Sequence, residues 1–228
     1  MTVRLSPSRD PLALEPEARA TLAERAARAL RAARRGRGRA VAAVTVPIPA
    51  ELDVSAAVLA ARRADDRFFC FEQPDRDGFA LAGLGAAAVV EARGADRFAE
   101  AARRARELGG RSFADDPADD PARPAAAGPV FVGGFSFAAE GGATPEWSSL
   151  APGLLVMPEL SLVRHRGEAR MTVCVAADGD EAPDALVERA LARVDELAPA
   201  GMPMVDPDPV EQARVASAAP PSHFEHAV

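Results

Sequence analysis

Lysine, tyrosine and asparagine are absent from this chain, isoleucine occurs once, and all 27 basic residues are arginine. Residues encoded by AT-rich codons are therefore nearly missing, the mark of a GC-rich genome. The chemical consequence is sharper. No Schiff-base, general-base or phosphate-binding lysine exists anywhere in the 228 residues, so any lysine-dependent chemistry lies outside them. Cysteine is scarce too: Cys70 and Cys174 each lie in an apolar, strand-like run without Cys-x-x-Cys spacing, and both are expected to be buried free thiols. Apolar runs such as Phe79 to Val90 fall well short of the ~20 residues of a membrane helix and carry Gly83 and Gly85, so no membrane span is expected. Asp10, Glu15 and Glu17 precede any apolar run, which is not the order of a secretory signal, and a cytoplasmic location is expected.

With 48% hydrophobic and 27% charged residues the chain has the composition of a globular protein with one substantial core. The net charge of −7 is unevenly spread. Arg31, Arg34, Arg35, Arg37 and Arg39 form a basic cluster, but it lacks interleaved aromatics and sits on an otherwise acidic chain. These arginines suit the negative end of a helix dipole, and no nucleic acid partner is expected.

Helical spacing runs from Pro16 through Leu22, Ala26, Leu30 and Ala33 to the break at Gly36 and Gly38. Ala40 to Ile48 reads as a strand and Val54 to Arg63 as a short helix. Arg67 to Glu72 and Phe79 to Ala92, joined by the turn Pro74 to Gly78, predict a hairpin. Ala95 to Leu108 is amphipathic and ends at Gly109-Gly110. Residues 111–128, rich in Asp, Pro and Ala, predict a mobile surface loop. Pro129 to Ala138 predicts a tightly packed aromatic strand, with Phe131, Gly133, Phe135 and Phe137 on one side. Leu154 to Val163 and Ala169 to Val175 predict a second hairpin about His165-Arg166-Gly167-Glu168, and Pro183 to Leu197 a last helix. The expected organisation is a helix and basic loop over 1–39, an α+β region over 40–197, a linker-like stretch over 198–221, and the beginning of a further unit over 222–228. The fold class is α+β: half of a layered α/β sandwich, with a mostly antiparallel sheet and flanking helices.

Four patterns invite a functional reading. Gly83-Leu84-Gly85-Ala86-Ala87-Ala88 matches the Gly-x-Gly-x-x-Ala dinucleotide fingerprint, but Val89-Val90 favour a strand where that motif needs a helix. Ser136 between Phe135 and Phe137 resembles a nucleophile elbow, yet Gly141-Gly142 follow at once and His165 has no evident acid to orient it. His223 and His226 could share a helical face, but two ligands do not close a metal site. Asp115, Asp116, Asp119 and Asp120 lack the glycine and terminal glutamate of a calcium loop. None of these assembles an active site.

The order of several blocks is informative. Arg67-Phe68-Phe69-Cys70-Phe71-Glu72-Gln73-Pro74, Phe79-Ala80-Leu81-Ala82-Gly83-Leu84-Gly85, Phe131-Val132-Gly133-Gly134-Phe135-Ser136-Phe137, Trp147, Leu154-Leu155-Val156-Met157-Pro158 and Phe224-Glu225-His226-Ala227-Val228 together resemble the amino-terminal half of isochorismate synthases, members of the chorismate-binding enzymes. The resemblance spans Arg67 to Val228. Anthranilate, aminodeoxychorismate and salicylate synthases share the layout, but the Phe-Glu-x-Pro and Gly-Leu-Gly blocks are more similar to the isochorismate branch. It implies conversion of chorismate to isochorismate, for menaquinone or siderophore synthesis, by an enzyme in which Mg²⁺ anchors the substrate carboxylate. The family's general-base lysine, general-acid glutamate and metal-binding glutamates all belong to its second half. The lysine lies in a Lys-Val-Val-Leu-Ala-Arg-type strand expected after Val228. The resemblance thus assigns no catalytic, cofactor-binding or metal-binding residue to this chain, whose strands are expected to leave an unprotected sheet edge and apolar face for the other half. The competing expectation is a non-catalytic binding or remnant domain that associates with a separate catalytic chain.

Overall fold

The computed structural model describes residues 11–36, 38–141, 145–147, 150–178 and 180–199. His223, His226, the expected unit over 222–228 and all of the expected linker-like stretch over 198–221 beyond residue 199 lie outside the described residues. In chain order the elements are α1 (Pro16–Gly36), β1 (Ala40–Pro47), α2 (Val54–Ala60), β2 (Phe68–Gln73), β3 (Phe79–Leu84), β4 (Ala88–Ala92), α3 (Arg97–Gly109), β5 (Ser112–Phe113), β6 (Val132–Phe135), β7 (Gly153–Met157), β8 (Leu160–His165), β9 (Glu168–Ala177) and α4 (Pro183–Val194). The fold is α+β. A six-stranded sheet has the order β2-β3-β8-β9-β1-β5 and a three-stranded sheet the order β4-β7-β6; every pairing is antiparallel except β1 with β5.

The large sheet buries one face under helices. Leu22, Ala26, Ala29 and Leu30 of α1 and Leu186 and Ala190 of α4 pack on Ala42, Val44, Leu162, Met171 and Val173. Asp53 caps α2, its side chain accepting the Ala56 N–H at 2.8 Å. The opposite face contributes Val41, Ala43 and Cys174 to a smaller cluster closed by Ala88 and Met157 of the second sheet. Behind that, Ala101 of α3 packs on Val90 and Ala92, with Leu155 and Phe131 alongside.

Two expected single strands are instead two strands each. Phe79 to Ala92 divides into β3 and β4, and Leu154 to Val163 into β7 and β8, so that one antiparallel ribbon passes through both sheets and bends between them. The bend is built from Gly85 and Glu159: Gly85 has φ +73°, and a Cβ there would lie 2.3 Å from the Glu159 carboxylate. Only glycine fits both demands. Periodicity hid the bend in Phe79–Ala92, where small and β-branched residues continue across it, whereas Pro158-Glu159 interrupts the other strand at the bend.

Within the expected loop over 111–128, several residues are tied to the large sheet. Ser112–Phe113 pairs with β1, the Thr45 N–H donates to Asp115 at 2.8 Å, Arg25 pairs with Asp115 at 2.8 Å, and the Gly128 N–H donates to the Thr172 hydroxyl at 2.9 Å. Polar anchors on β1 and β9 hold the segment, together with Phe113 and Ala114, which pack against the core clusters. Cys70 is exposed, not buried, because β2 is an edge strand; Cys174 is buried. The aromatic strand is not tightly packed either: Phe135 is 37% exposed and Phe137 fully so.

Candidate functional site

The candidate patterns separate in space. Gly83-Leu84-Gly85 ends β3 and leads into a strand, so no helix N-terminus faces it. Its two glycines have structural causes: a Cβ on Gly83 would lie 2.3 Å from the Phe69 ring, and Gly85 makes the bend. The Ser136 hydroxyl donates to the Ala138 and Pro152 carbonyls, not to a base. His165 stands 3.9 Å from Asp77 and edge-on to Phe79. Asp115 and Asp120 pair with Arg25 and Arg170, while Asp116 caps a turn through the Ala118 N–H. Among the described residues no three His, Cys, Asp or Glu side chains converge to hold a metal.

Two features remain. The first is an open apolar face. α3 covers one side of the three-stranded sheet, leaving Val89, Val132, Leu154 and Val156 on the other; Val89 is 38% exposed. A cavity of about 340 Å³ lies between Phe68 and Phe69 of β2 and Val132, Gly133, Leu154 and Val156. A second, of about 240 Å³, continues from Leu154 to Phe135, Trp147 and Leu150. Val132, Leu154 and Val156 are half-buried, and Glu91 shares this face opposite Leu154.

The second is a buried arginine. Arg193 of α4, 4% exposed, donates to Asp66 and Glu196 and has its Nε 3.7 Å from Glu159. Arg63 joins through Glu196. Burial works to raise the Asp66 carboxyl, but the Arg63 N–H and the Arg193 guanidinium outweigh it and hold that carboxyl below its ordinary value. At Glu196 the Arg63 hydrogen bond leads, and the value again falls. The network ties α4 to the segment entering β2 and to the bend at Glu159. Sequence reading passed over Arg193; the signal available was an arginine in the apolar stripe of Leu186, Ala190, Val194 and Leu197.

The arrangement offers surfaces and a rigid corner, without a nucleophile–base pair or a metal cage among the described residues. Residues 27–228 match the model of the family described as chorismate binding enzyme. The chain belongs to the chorismate-binding enzyme family. Of solved structures, MenF, the menaquinone-specific isochorismate synthase from Escherichia coli, is similar at 16% identity and a TM-score of 0.45, over 72% of this chain and 30% of that one. This chorismate-binding family member thus spans under a third of the length of that relative. No curated protein matches it. Among the described residues no helix is long and apolar enough to cross a membrane.

Proposed function

We propose that this chain is the amino-terminal, scaffold-forming part of an isochorismate synthase, which converts chorismate to isochorismate for menaquinone or siderophore synthesis, and that it is inert alone. The observation that carries the reading is the family match over residues 27–228 in a sequence without lysine. The Phe71-Glu72-Gln73-Pro74 and Gly83-Leu84-Gly85 blocks favour the isochorismate branch over salicylate or anthranilate synthesis. Moving the hydroxyl group requires a base to activate water at one ring carbon and an acid to assist the hydroxyl leaving another. In this reading a complementary catalytic polypeptide supplies both groups and the ligands for Mg²⁺, while this chain holds that polypeptide in place. The open apolar face supports the association.

The test is chromatographic. The purified chain, incubated with chorismate and Mg²⁺, is expected to form no isochorismate above a protein-free control, and adding a separately expressed catalytic part is expected to start the reaction. Isochorismate formed by the chain alone would overturn the inert reading; salicylate or anthranilate from the mixture would overturn the assigned branch.

A further inference from the structure

Among the described residues strand β2 is an edge of the large sheet; no proline or bulge interrupts Phe68–Gln73, Glu72 is its one charged residue, and Phe68 and Phe71 are 43% and 51% exposed. The Arg67 carbonyl accepts the Gly85 N–H at 2.9 Å, and alternation along the ladder then turns the N–H and C=O groups of Phe68, Cys70 and Glu72 away from β3. We infer that two copies of this chain pair through antiparallel β2 strands centred on Cys70.

The register follows from symmetry. A two-fold axis relating antiparallel edges must be normal to the sheet, so each residue meets one on the same face. Centring the axis on Cys70 overlaps the whole strand and pairs all the outward groups. On one face Phe69 lies opposite Phe71 of the second copy. On the other Phe68 lies opposite Glu72 of the second copy, and the Cys70 residues face each other. The charges agree with this register: Arg62 and Arg67 stand at the start of the strand and Glu72 at its end. Arg62 sits 4.7 Å over the Phe68 ring, which brings it beside Glu72 of the second copy, twice by symmetry. Opposite charges and aromatic pairs across strands both favour the association.

Sedimentation velocity on the full chain at micromolar concentration is expected to show a dimer, and a short bismaleimide to link it through Cys70. Cys174 does not compete for the reagent, since it is buried with its thiol pushed up to about 12. Glu72→Arg is expected to weaken the dimer about tenfold, as is Arg62→Glu, and the two together to restore it. The double variant separates pairing from folding, because Glu72 also accepts a hydrogen bond from Ser55. A monomer at all concentrations, a dimer that does not link through Cys70, or a double variant no tighter than the singles would overturn the inference. None of these readouts depends on turnover, so they stand apart from the proposed activity.

Discussion

Replacing Arg193 by methionine tests whether the ion network holds α4 to the rest of the fold. The side chain is 4% exposed and neutralises Asp66 and Glu196, with Glu159 nearby. Methionine keeps the aliphatic volume and removes the charge, leaving Asp66 and Glu196 without their Arg193 partner. Breaking a buried ion pair from one side costs ~3–5 kcal/mol, and the partial exposure of the carboxylates brings the expectation to the lower end, ~2–3 kcal/mol. For a chain of this length, ~2–4 °C of melting temperature is lost per kcal/mol, giving a drop of ~5–10 °C at neutral pH.

The pH dependence carries the sharper test. Asp66 and Glu196 are held below their ordinary values in the fold. Their contribution is therefore fully present above the unfolded carboxylate range of ~4 and is lost as the pH falls through the folded values. Arg193→Met removes the share of that contribution that Arg193 makes and leaves that of Arg63, so the gap in melting temperature between the variant and the natural chain should narrow on acidification below ~4. Adding Asp66→Leu, which removes the most buried of the stranded carboxylates, should recover part of the loss at neutral pH. Calorimetric melting of the three proteins at neutral and acid pH decides it. A drop below ~2 °C at neutral pH, or an equal gap at both, would refute the argument.

Two further outcomes are expected. Asp115→Ala takes the acceptor from the Thr45 N–H and the partner from Arg25, costing ~1–2 kcal/mol and loosening residues 116–128. Amide hydrogen exchange over residues 116–128 should then speed up several-fold, and an unchanged rate would mean that the other anchors suffice. In thiol titration of the native chain at high dilution, Cys70 alone should react, with Cys174 following only on unfolding; two fast thiols would contradict the burial of Cys174.

The elements that sequence revealed are those whose signal is local. α1 ends at Gly36 and α4 begins at Pro183, as spacing and caps predict, and the turn at Arg166-Gly167 takes positive φ at both residues, which fits a two-residue hairpin. What stayed hidden depends on contacts made elsewhere in the chain. Gly83 and Gly85 fit a nucleotide fingerprint on paper, and only Phe69 and Glu159 reveal why glycine is needed at each. The acidic run over 115–120 looked solvated because its partners, Arg25, Thr45 and Arg170, are far away in sequence.

The functional surface was hidden for the same reason in reverse. Phe68, Phe135 and Trp147 have the composition of a core, and whether they are core or interface depends on what lies opposite them, which local sequence does not encode. Lysine stands apart from this difficulty. Its absence is a property of all 228 residues and needs no structure to read, so any lysine chemistry lies outside them whichever surface is the interface.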